Sequence, residues 1–393
     1  VDDKTISNAQ KEGIPLQEYT KRYEKAFFED LETLTIDKAD IFPRATEHIK
    51  EMIALIQKLK KKTFTYESED SVYYRIAKFK HYGKLSKIKL EEQKEGARVD
   101  ADEYEKQNAK DFVLWKAKKE QEPSWKTSLG EGRPGWHIEC SAMSMKYLGE
   151  TFDIHAGGID LIFPHHENEI AQSEAATGKK FVNYWFHNEH LLVEGKKMAK
   201  SLGNFFTLRD LLQKGHHSKA IRYLLLSAHY RYPLNFTEEG LHAAASTIQR
   251  MQDFVDKLKS WKGAGKGKSI TRLIEKAKKD FEKEMDEDVN ISNALAVIFD
   301  FMKDVNKAMA EHALSSTDAK AAYRLMLDFD TVLGILESEE IKIPQEILTL
   351  AEKREQARKA RNWQLADQLR EQVQEKGYAI EDTTMGYRLK KST

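Results

Sequence analysis

The sequence predicts an α/β domain followed by a part that is almost wholly helical. Between Gly130 and Trp185, glycines are frequent and strand-like runs alternate with short helical runs, a pattern typical of α/β domains. After Pro233, apolar residues recur at helical spacing, as expected for helices that pack against one another. Two clear stripes are Leu295, Ile298, Phe299, Met302 and Val305, and Tyr323, Met326, Leu327 and Leu333.

Composition and charge exclude several classes of protein. The 393 residues correspond to about two to four domains. With 64 basic and 64 acidic residues the net charge is zero, which argues against a globally basic nucleic-acid-binding protein. No run approaches about 18 apolar residues, and the chain opens without an apolar signal segment, so no membrane span or secretion signal is predicted. The single cysteine, Cys140, excludes an internal disulfide and favours the cytoplasm.

The N-terminal part is predicted to begin with helices and to continue into a small inserted module. Apolar residues at helical spacing indicate helices over residues 16–31 and 49–59. Runs at 63–66 and 71–74 have the composition of strands. Periodicity is weak from there to residue 129, which favours an insertion with its own short elements.

One glycine- and lysine-rich segment resembles a phosphate-binding loop in composition only. Residues 262–268 read KGAGKGK, and Lys262 stands where the P-loop motif requires its first glycine. The segment also follows a helical run instead of a strand. We interpret it as a solvated linker between helices.

The densest group of polar side chains lies at residues 153–169. Pro164 stands where a helix would begin, because its fixed φ suits the first turn. His165 and Glu169 are four residues apart, so they share one face of that helix and can bind one metal ion together. Cys140 lies far enough upstream in the sequence that a neighbouring element of the fold can place it beside this pair. One sulfur, one nitrogen and one oxygen ligand suit a tetrahedral zinc site.

Spacing alone leaves other interpretations of these residues open. A His/Glu pair on a helix is often a salt bridge or a response to the helix dipole, and a lone cysteine is often a small buried apolar residue. His166 and Glu169 also have the H-x-x-E spacing of some metallopeptidases. That function would need another histidine and a general-base carboxylate supplied by the fold.

Two further segments have features of nucleotide-binding loops. Gly157 and Gly158 follow a strand-like run at 152–154 and precede a helix, so a turn there would let the backbone approach a ligand closely. A polar loop ahead of a helix predicted at 208–212 contains Lys196, Lys197 and Lys200, and we call it the lysine loop. These lysines can hold a triphosphate. A solvated turn is the alternative for this loop.

Together these segments resemble cysteinyl-tRNA synthetases in sequence and in order. The similar segments are GRPGWHIECSAM (132–143), HAGG (155–158), FPHHENEIAQS (163–173) and KMAKSLGN (197–204). The resemblance covers essentially the whole chain. It continues through GARVD (96–100), DFVLWK (111–116), HYR (229–231), ARKARNW (357–363), ADQLR (366–370) and EDT (381–383).

The resemblance implies a fold and an order of domains. We expect an α/β Rossmann-type class I synthetase catalytic core, N-terminally incomplete, followed by an all-α helical-bundle anticodon-binding domain. The expected limits are 1–65 for the remainder of the first Rossmann half, 66–130 for a connective insertion, 131–187 for the second Rossmann half with the zinc site, 188–237 for the stem-contact region with the lysine loop, 238–345 for the helical bundle and 346–393 for a C-terminal anticodon-binding piece.

The resemblance also implies a reaction and its partners. ATP, accompanied by Mg²⁺, would activate L-cysteine to cysteinyl-adenylate, and the cysteinyl group would pass to tRNA(Cys). One Zn²⁺ per chain would be held by Cys140, His165, Glu169 and one further cysteine that this sequence does not contain. The ion would select the thiolate of cysteine over the hydroxyl of serine, so that no editing is needed. We expect a cytoplasmic monomer.

Further roles follow by residue-to-residue similarity. Trp136 and His155 are expected to form the pocket for the substrate cysteine. Lys197 and Lys200 are expected to be catalytic, with Lys200 stabilising negative charge on the triphosphate. The residues expected to bind ATP are Gly157, Gly158, Asp160 and Lys200.

The sequence departs from the family pattern in two places. The family's Lys-Met-Ser-Lys-Ser loop has Ala199 in place of its first serine, and because both lysines remain we expect a modest effect. The opening VDDK resembles the end of a motif that lies several dozen residues into family members. No His-Ile-Gly-His tetrapeptide and no second cysteine occur in the sequence. We therefore expect this chain alone to be inactive.

Three functional hypotheses follow. The chain is most of an active cysteine–tRNA ligase, or a truncated and inactive tRNA-binding relative or piece of a split enzyme, or a ligase that joins cysteine to a small amine. The third is disfavoured because such ligases lack the C-terminal extension, and a metallopeptidase has no use for the lysine loop.

A basic helix near the C-terminus is a candidate RNA contact. Cations beside an aromatic ring suit an RNA backbone with a stacked base, although Glu352, Glu355 and Asp367 interleave as on an ordinary solvated face. The cations are Lys353, Arg354, Arg358, Lys359, Arg361 and Arg370, around Trp363.

Overall fold

In a computed structural model, the chain folds into an α/β part and a helical part. The structure describes residues 3–88, 111–120, 122–199, 202–263, 265, 269–337, 344–360, 362–383 and 386–391. The helices of these ranges are α1 (Asp3–Glu12), α2 (Leu16–Thr33), α3 (Ile49–Lys61), α4 (Trp136–Leu148), α5 (Glu167–Thr177), α6 (Leu208–Gln213), α7 (Ser218–Leu226), α8 (Glu238–Ser260), α9 (Thr271–Asp286), α10 (Ile291–Ala310), α11 (Ser316–Leu333), α12 (Gln345–Lys359) and α13 (Trp363–Glu375). The strands are β1 (Thr65–Ser68), β2 (Ser71–Tyr74), β3 (Phe112–Ala117), β4 (Trp125–Thr127), β5 (Gly130–Pro134), β6 (Phe152–Gly158), β7 (Val182–Asn188), β8 (Leu191–Val193), β9 (Lys196–Lys197), β10 (Leu234–Phe236), β11 (Tyr378–Thr383) and β12 (Gly386–Lys391).

The two N-terminal apolar stripes form helices as predicted, but only one stripe is buried. Met52, Ile56 and Leu59 of α3 are fully buried against the first sheet and α4. On α2, by contrast, Tyr23 and Phe27 are 54% and 48% exposed. Helical spacing therefore predicted both helices, whereas burial depends on what the fold places beside them.

Strands β1 to β5, which lie mostly within the segment predicted to be an insertion, form an antiparallel sheet of strand order β1-β2-β3-β5-β4. Both strands predicted from local composition are present. All four residues of β2 are buried because its two faces are covered: Tyr74 belongs to the α3 core, and Tyr73 packs with Tyr66 and Val113 on the other side. The segment GARVD lies outside the described residues.

Helix α1 is held to this sheet by charge. Asp3 lies 3.1 Å from Lys116 Nζ on β3 and also contacts Arg133 on β5. Lys116 and Arg133 are both buried. Arg133 Nε donates a 2.7 Å bond to Glu122 Oε2 as well. The burial of these cations makes their carboxylate partners structurally necessary.

The second part of the core is a parallel β6–α5–β7 unit, as the alternating pattern predicts. Gly157 and Gly158 are the last two residues of β6, paired with His187 and Asn188 of β7. The expected turn at these glycines was wrong. The strand continues to Gly158 because β7 supplies hydrogen-bonding partners that local sequence does not reveal.

The lysine loop and the next helices form a third unit. β8 pairs in parallel with β10 and antiparallel with β9. α6 begins where predicted, with a capping box between Thr207 and Asp210. Residues Val193, Leu211, Ile221, Leu224 and Phe236 form the core of this unit.

Helices α8 to α11 form a bundle whose core is the largest among the described residues. Leu295, Ile298, Met302 and Val305 are buried there as the stripe predicts. Leu327 of the second predicted stripe is 37% exposed, so it lies outside the core. Residues 262–268 join α8 to α9, and Ala264 and residues 266–268 lie outside the described residues.

The predicted basic C-terminal helix is in fact two helices, because α12 ends at Lys359 and α13 begins at Trp363. Arg354 is buried, so it is not one of the exposed cations, while Trp363 is exposed as expected. Arg361 lies outside the described residues. β11 and β12 pair antiparallel after α13. Within the described ranges, no helix has the length and apolar character needed to cross a membrane.

Candidate metal centre and active site

Helices α4 and α5 bring three predicted metal ligands together. Cys140 lies in α4, His165 lies in the helical turn that runs into α5, and Glu169 lies in the first turn of α5. One potential ligand atom from each lies within 4.8 Å of the others. His165 Nε2 and Glu169 Oε1 are 2.8 Å apart, as the i, i+4 spacing predicts.

The Glu169 carboxylate is completely buried and faces two imidazoles. Its Oε2 atom lies 3.4 Å from His155 Nε2, opposite the His165 contact. Burial raises the pKa of Glu169, but its contacts with His155 and His165 outweigh burial and lower the pKa to about 2. Neither oxygen has a hydrogen-bond partner of normal geometry among the described residues. A buried carboxylate of this kind suits a cation.

The Cys140 thiol is protonated unless a cation is nearby. Burial, followed by the charges of Glu169 and Glu139, raises the pKa of this thiol far above its ordinary value. A thiolate, which is the form that binds a metal, therefore needs a compensating positive charge. The sulfur, nitrogen and oxygen donors fit zinc better than Mg²⁺ or Ca²⁺, which take oxygen ligands.

A second possible ligand group shares Glu169. His155, His166 and Glu169 also have ligand atoms within 4.8 Å of one another. The fold thus supplies the extra histidine that the metallopeptidase hypothesis requires. His166 Nδ1 lies 2.8 Å from His187 Nε2, however, and burial lowers the pKa of His166 to about 3. Only the group containing Cys140 offers a sulfur ligand.

Sequence analysis did not identify His137 and His187 as site residues. His137 Nδ1 lies 2.9 Å from His165 Nδ1, so it orients the ring of a candidate ligand. His187 lies opposite Gly157 in the β6–β7 register. The concentration of histidines between residues 137 and 187 was the available signal.

The predicted cysteine-pocket residues lie beside the candidate ligands. The Trp136 and His165 rings are 4.3 Å apart between centroids. Trp136 is 54% exposed, so one of its faces is accessible to a substrate. His155 contacts Glu169, as described above. The structure therefore brings both residues to the same end of α4 and α5.

The predicted ATP-binding glycines have close neighbours within the protein. A Cβ at Gly157 would lie 2.8 Å from His166 Cε1, and one at Gly158 would lie 2.4 Å from Asp160 Oδ1. Residue 157 must therefore be glycine for β6 to approach His166. Asp160 is the second residue after β6 and lies in a short 3-10 turn, Ile159–Leu161.

The lysine loop is only partly described. Lys197 is exposed on β9, and Lys200 lies outside the described residues. Asn204 links the two sides of the loop, because its Oδ1 accepts a 2.9 Å bond from Ala199 N and its Nδ2 donates a 3.1 Å bond to Lys197 O. The role of Asn204 was not predicted from the sequence.

Comparisons with known proteins agree with this architecture. Residues 1–246 match the family described as tRNA synthetases class I (C) catalytic domain, and residues 280–337 match the DALR domain. A Mycobacterium tuberculosis methionyl-tRNA synthetase solved in complex with methionyl-adenylate is similar in fold, with a TM-score of 0.58 and 15% identity over 82% of this chain and 78% of that chain. The chain has the fold of a class I aminoacyl-tRNA synthetase, a catalytic domain followed by an all-helical anticodon-binding domain.

Similarity to curated relatives specifies the amino acid. The chain is 49% identical to the cysteine–tRNA ligase of Protochlamydia amoebophila, over 100% of this chain and 84% of the relative. It is 48% identical to that of Chlamydia trachomatis serovar A, over 100% of this chain and 85% of the relative. The chain belongs to the cysteine–tRNA ligase family.

Proposed function

We propose that this ligase activates L-cysteine with ATP to cysteinyl-adenylate and then transfers the cysteinyl group to tRNA(Cys), with one zinc ion selecting cysteine. The observation that supports the zinc proposal is the group formed by half-buried Cys140 with buried His165 and Glu169, in which the carboxylate lacks normal hydrogen bonds. When bound there, Zn²⁺ supplies a soft Lewis acid that favours a thiolate over a hydroxyl.

The protein's own residues prepare this pocket. His137 orients His165, and His155 and His165 keep Glu169 ionised. The Trp136 ring packs at a tilt against His165 and would cover one side of the substrate cysteine. A serine in this pocket would offer a hydroxyl where the site is suited to sulfur, and the lost interaction would reject it.

We propose that the phosphates of ATP are bound by the lysine loop. Lys197 and Lys200 supply positive charge that stabilises the negative charge developing on the triphosphate, and Asn204 holds the backbone at Lys197 and Ala199. Gly157, Gly158 and Asp160 would contact the nucleoside. The carboxylate of cysteine is already ionised at neutral pH, so the attack on the α-phosphorus needs no general base. Two further predictions concern the domain limits and the oligomeric state. The predicted limits are 1–65, 66–130, 131–187, 188–237, 238–345 and 346–393, and the predicted state is a monomer.

The test is cysteine-dependent exchange of pyrophosphate into ATP, followed by charging of tRNA(Cys), with the full-length gene product. We expect exchange with cysteine and none with serine, and about one zinc per chain by elemental analysis. Binding of tRNA without exchange or charging would overturn the proposal and favour a tRNA-binding relative. Hydrolysis of peptides would favour the His155–His166–Glu169 group instead.

A further inference from the structure

The catalytic domain and the helical bundle meet around one arginine of α7. Arg222 lies within the region that matches the class I catalytic domain, and α11 lies within the region that matches the DALR domain. We propose that Arg222, supported by Asp288, is a positioning residue that fixes the bundle relative to the active site, and that tRNA charging depends on it while cysteine activation does not.

The Arg222 guanidinium binds the C-terminal ends of two helices at once. Nη1 donates bonds of 2.8 and 3.1 Å to the carbonyls of Leu34 and Thr35, which follow α2. Nε donates to Leu333 O, and Nη2 donates a 3.3 Å bond to Val332 O, both at the end of α11. Helix C-termini carry partial negative charge, so a cation between two of them is attracted by both. The planar fork of arginine reaches carbonyls on two sides, which a lysine cannot do.

The backbone of the bundle is shaped to receive this side chain. Gly334, the residue after α11, has a left-handed φ of 61°, and a Cβ there would lie 3.1 Å from Arg222 Nε. Glycine therefore serves two purposes at this position, since it adopts the left-handed backbone and leaves room for the guanidinium. Alanine would oppose both.

A second contact joins the same two regions about Asp288. Arg231 donates to both carboxylate oxygens of Asp288, and Tyr230 Oη donates a 2.5 Å bond to Oδ1. Asp288 and Val289 have φ values of 58° and 54°. A left-handed β-branched residue is a strained arrangement that persists only where surrounding contacts hold it. The Asp288 contacts are therefore a second anchor of the bundle on the catalytic domain, separate from that of Arg222.

Only one of the two reaction steps needs these anchors. This inference rests on the proposed function, in which cysteine and ATP react within the catalytic domain. A tRNA must reach that domain with its acceptor end while the helical part binds it elsewhere. A loosened joint would therefore misplace the acceptor end, and small errors of placement reduce rates strongly.

The test compares Arg222→Lys, Gly334→Ala and Asp288→Asn in the full-length protein. For each variant, we expect kcat/KM for cysteine-dependent pyrophosphate exchange to stay within about twofold, and kcat/KM for tRNA charging to fall about tenfold, within the usual range of coupling between sites. The matched controls are Arg324→Lys, an exposed arginine of α11, and Gly13→Ala, which has a φ of 67° and no atom within 4 Å of a new Cβ. Neither control should change either activity.

Small-angle X-ray scattering of the same proteins gives a readout that does not depend on catalysis. The Arg222→Lys protein should have a larger maximum dimension than the wild type, and Arg324→Lys should not. Unchanged charging in Arg222→Lys, or equal losses of exchange and charging, would overturn the inference. A wild type without exchange activity would contradict the proposed function, while the scattering comparison would still decide whether Arg222 holds the joint.

Discussion

At the scale of single residues, the most informative side chain is Glu169. It is completely buried, its pKa is about 2, and it faces His155 and His165 without a normal hydrogen bond. An ionised carboxylate in this environment is costly unless a cation or protonated imidazoles balance it. Cys140, whose raised pKa keeps it protonated, becomes a ligand only under the same condition.

We predict that Cys140→Ser raises the KM for cysteine at least tenfold and lowers the zinc content below one ion per chain. The hydroxyl of serine is a poor zinc ligand, and removing one ligand weakens the site. Pyrophosphate exchange over a range of cysteine concentrations, together with elemental analysis, provides the measurement.

The matched control for Cys140→Ser is Ser144→Ala, a half-buried position on the same helix outside the ligand group. It should keep both the KM and the zinc content. A Cys140→Ser protein with the wild-type affinity for cysteine would contradict the zinc assignment.

At the scale of elements, the loop between β9 and α6 depends on Asn204. Its side chain is bonded to Ala199 N and Lys197 O, one residue on each side of Met198. The backbone on either side of Met198 therefore keeps a defined shape although Ala199 replaces the serine of the family motif. This shape sets where Lys197 projects.

We predict that Asn204→Ala lowers kcat for pyrophosphate exchange about tenfold and leaves the KM for cysteine unchanged. The lysine loop loses both bonds, while the candidate zinc ligands Cys140 and Glu169 lie on α4 and α5. Asn204→Asp keeps an acceptor for Ala199 N and loses the donor to Lys197 O, so it should give an intermediate kcat. A rise in the KM for cysteine without loss of kcat would show that this loop does not act on ATP.

The accuracy of the sequence predictions also differs between elements. The α3 stripe and the His165–Glu169 pair were predicted because their spacing is local and a helix brings such residues together. The end of β6 at Gly158 was not predicted, because that strand depends on β7, whose pairing residues lie about 30 positions away. His137 and His187 were not identified as site residues for the same reason. Their partners, His165 and His166, are close in the fold and distant in the sequence.

At the scale of the whole molecule, the fold class and family were predictable because several separate motifs occur in one order along the chain. The arrangement of the parts was not. α2 keeps exposed aromatic rings, and the basic C-terminal segment divides into α12 and α13. The contacts of Arg222 and Asp3 join segments more than 100 residues apart, which no local pattern predicts.

We predict that Asp3→Asn lowers the free energy of unfolding by about 1–2 kcal/mol at pH 7, as expected for charged hydrogen bonds to a partly exposed group. Burial raises the pKa of Asp3, but Lys116 and Arg133 outweigh it and hold the pKa below its ordinary value of 3.8. This stabilisation is therefore present above about pH 4 and is lost as the pH falls further.

Urea denaturation of Asp3→Asn and wild type at pH 7 and pH 3 measures this difference, which should shrink at the lower pH. The exposed Asp40→Asn serves as the control and should match the wild type at both. An equal difference at pH 7 and pH 3 would mean that the carboxylate charge of Asp3 is not responsible.

The attachment of α1 to β3 and β5 also has a consequence during synthesis on the ribosome. Lys116 and Arg133 follow Asp3 by 113 and 130 residues. At about 5–20 residues per second, α1 waits roughly 6–26 seconds before its partners are made. A helix of 10 residues is only marginally stable in water by itself. Helix α1 therefore reaches its final place only after β3 and β5 have been made, and until then it is accessible to chaperones.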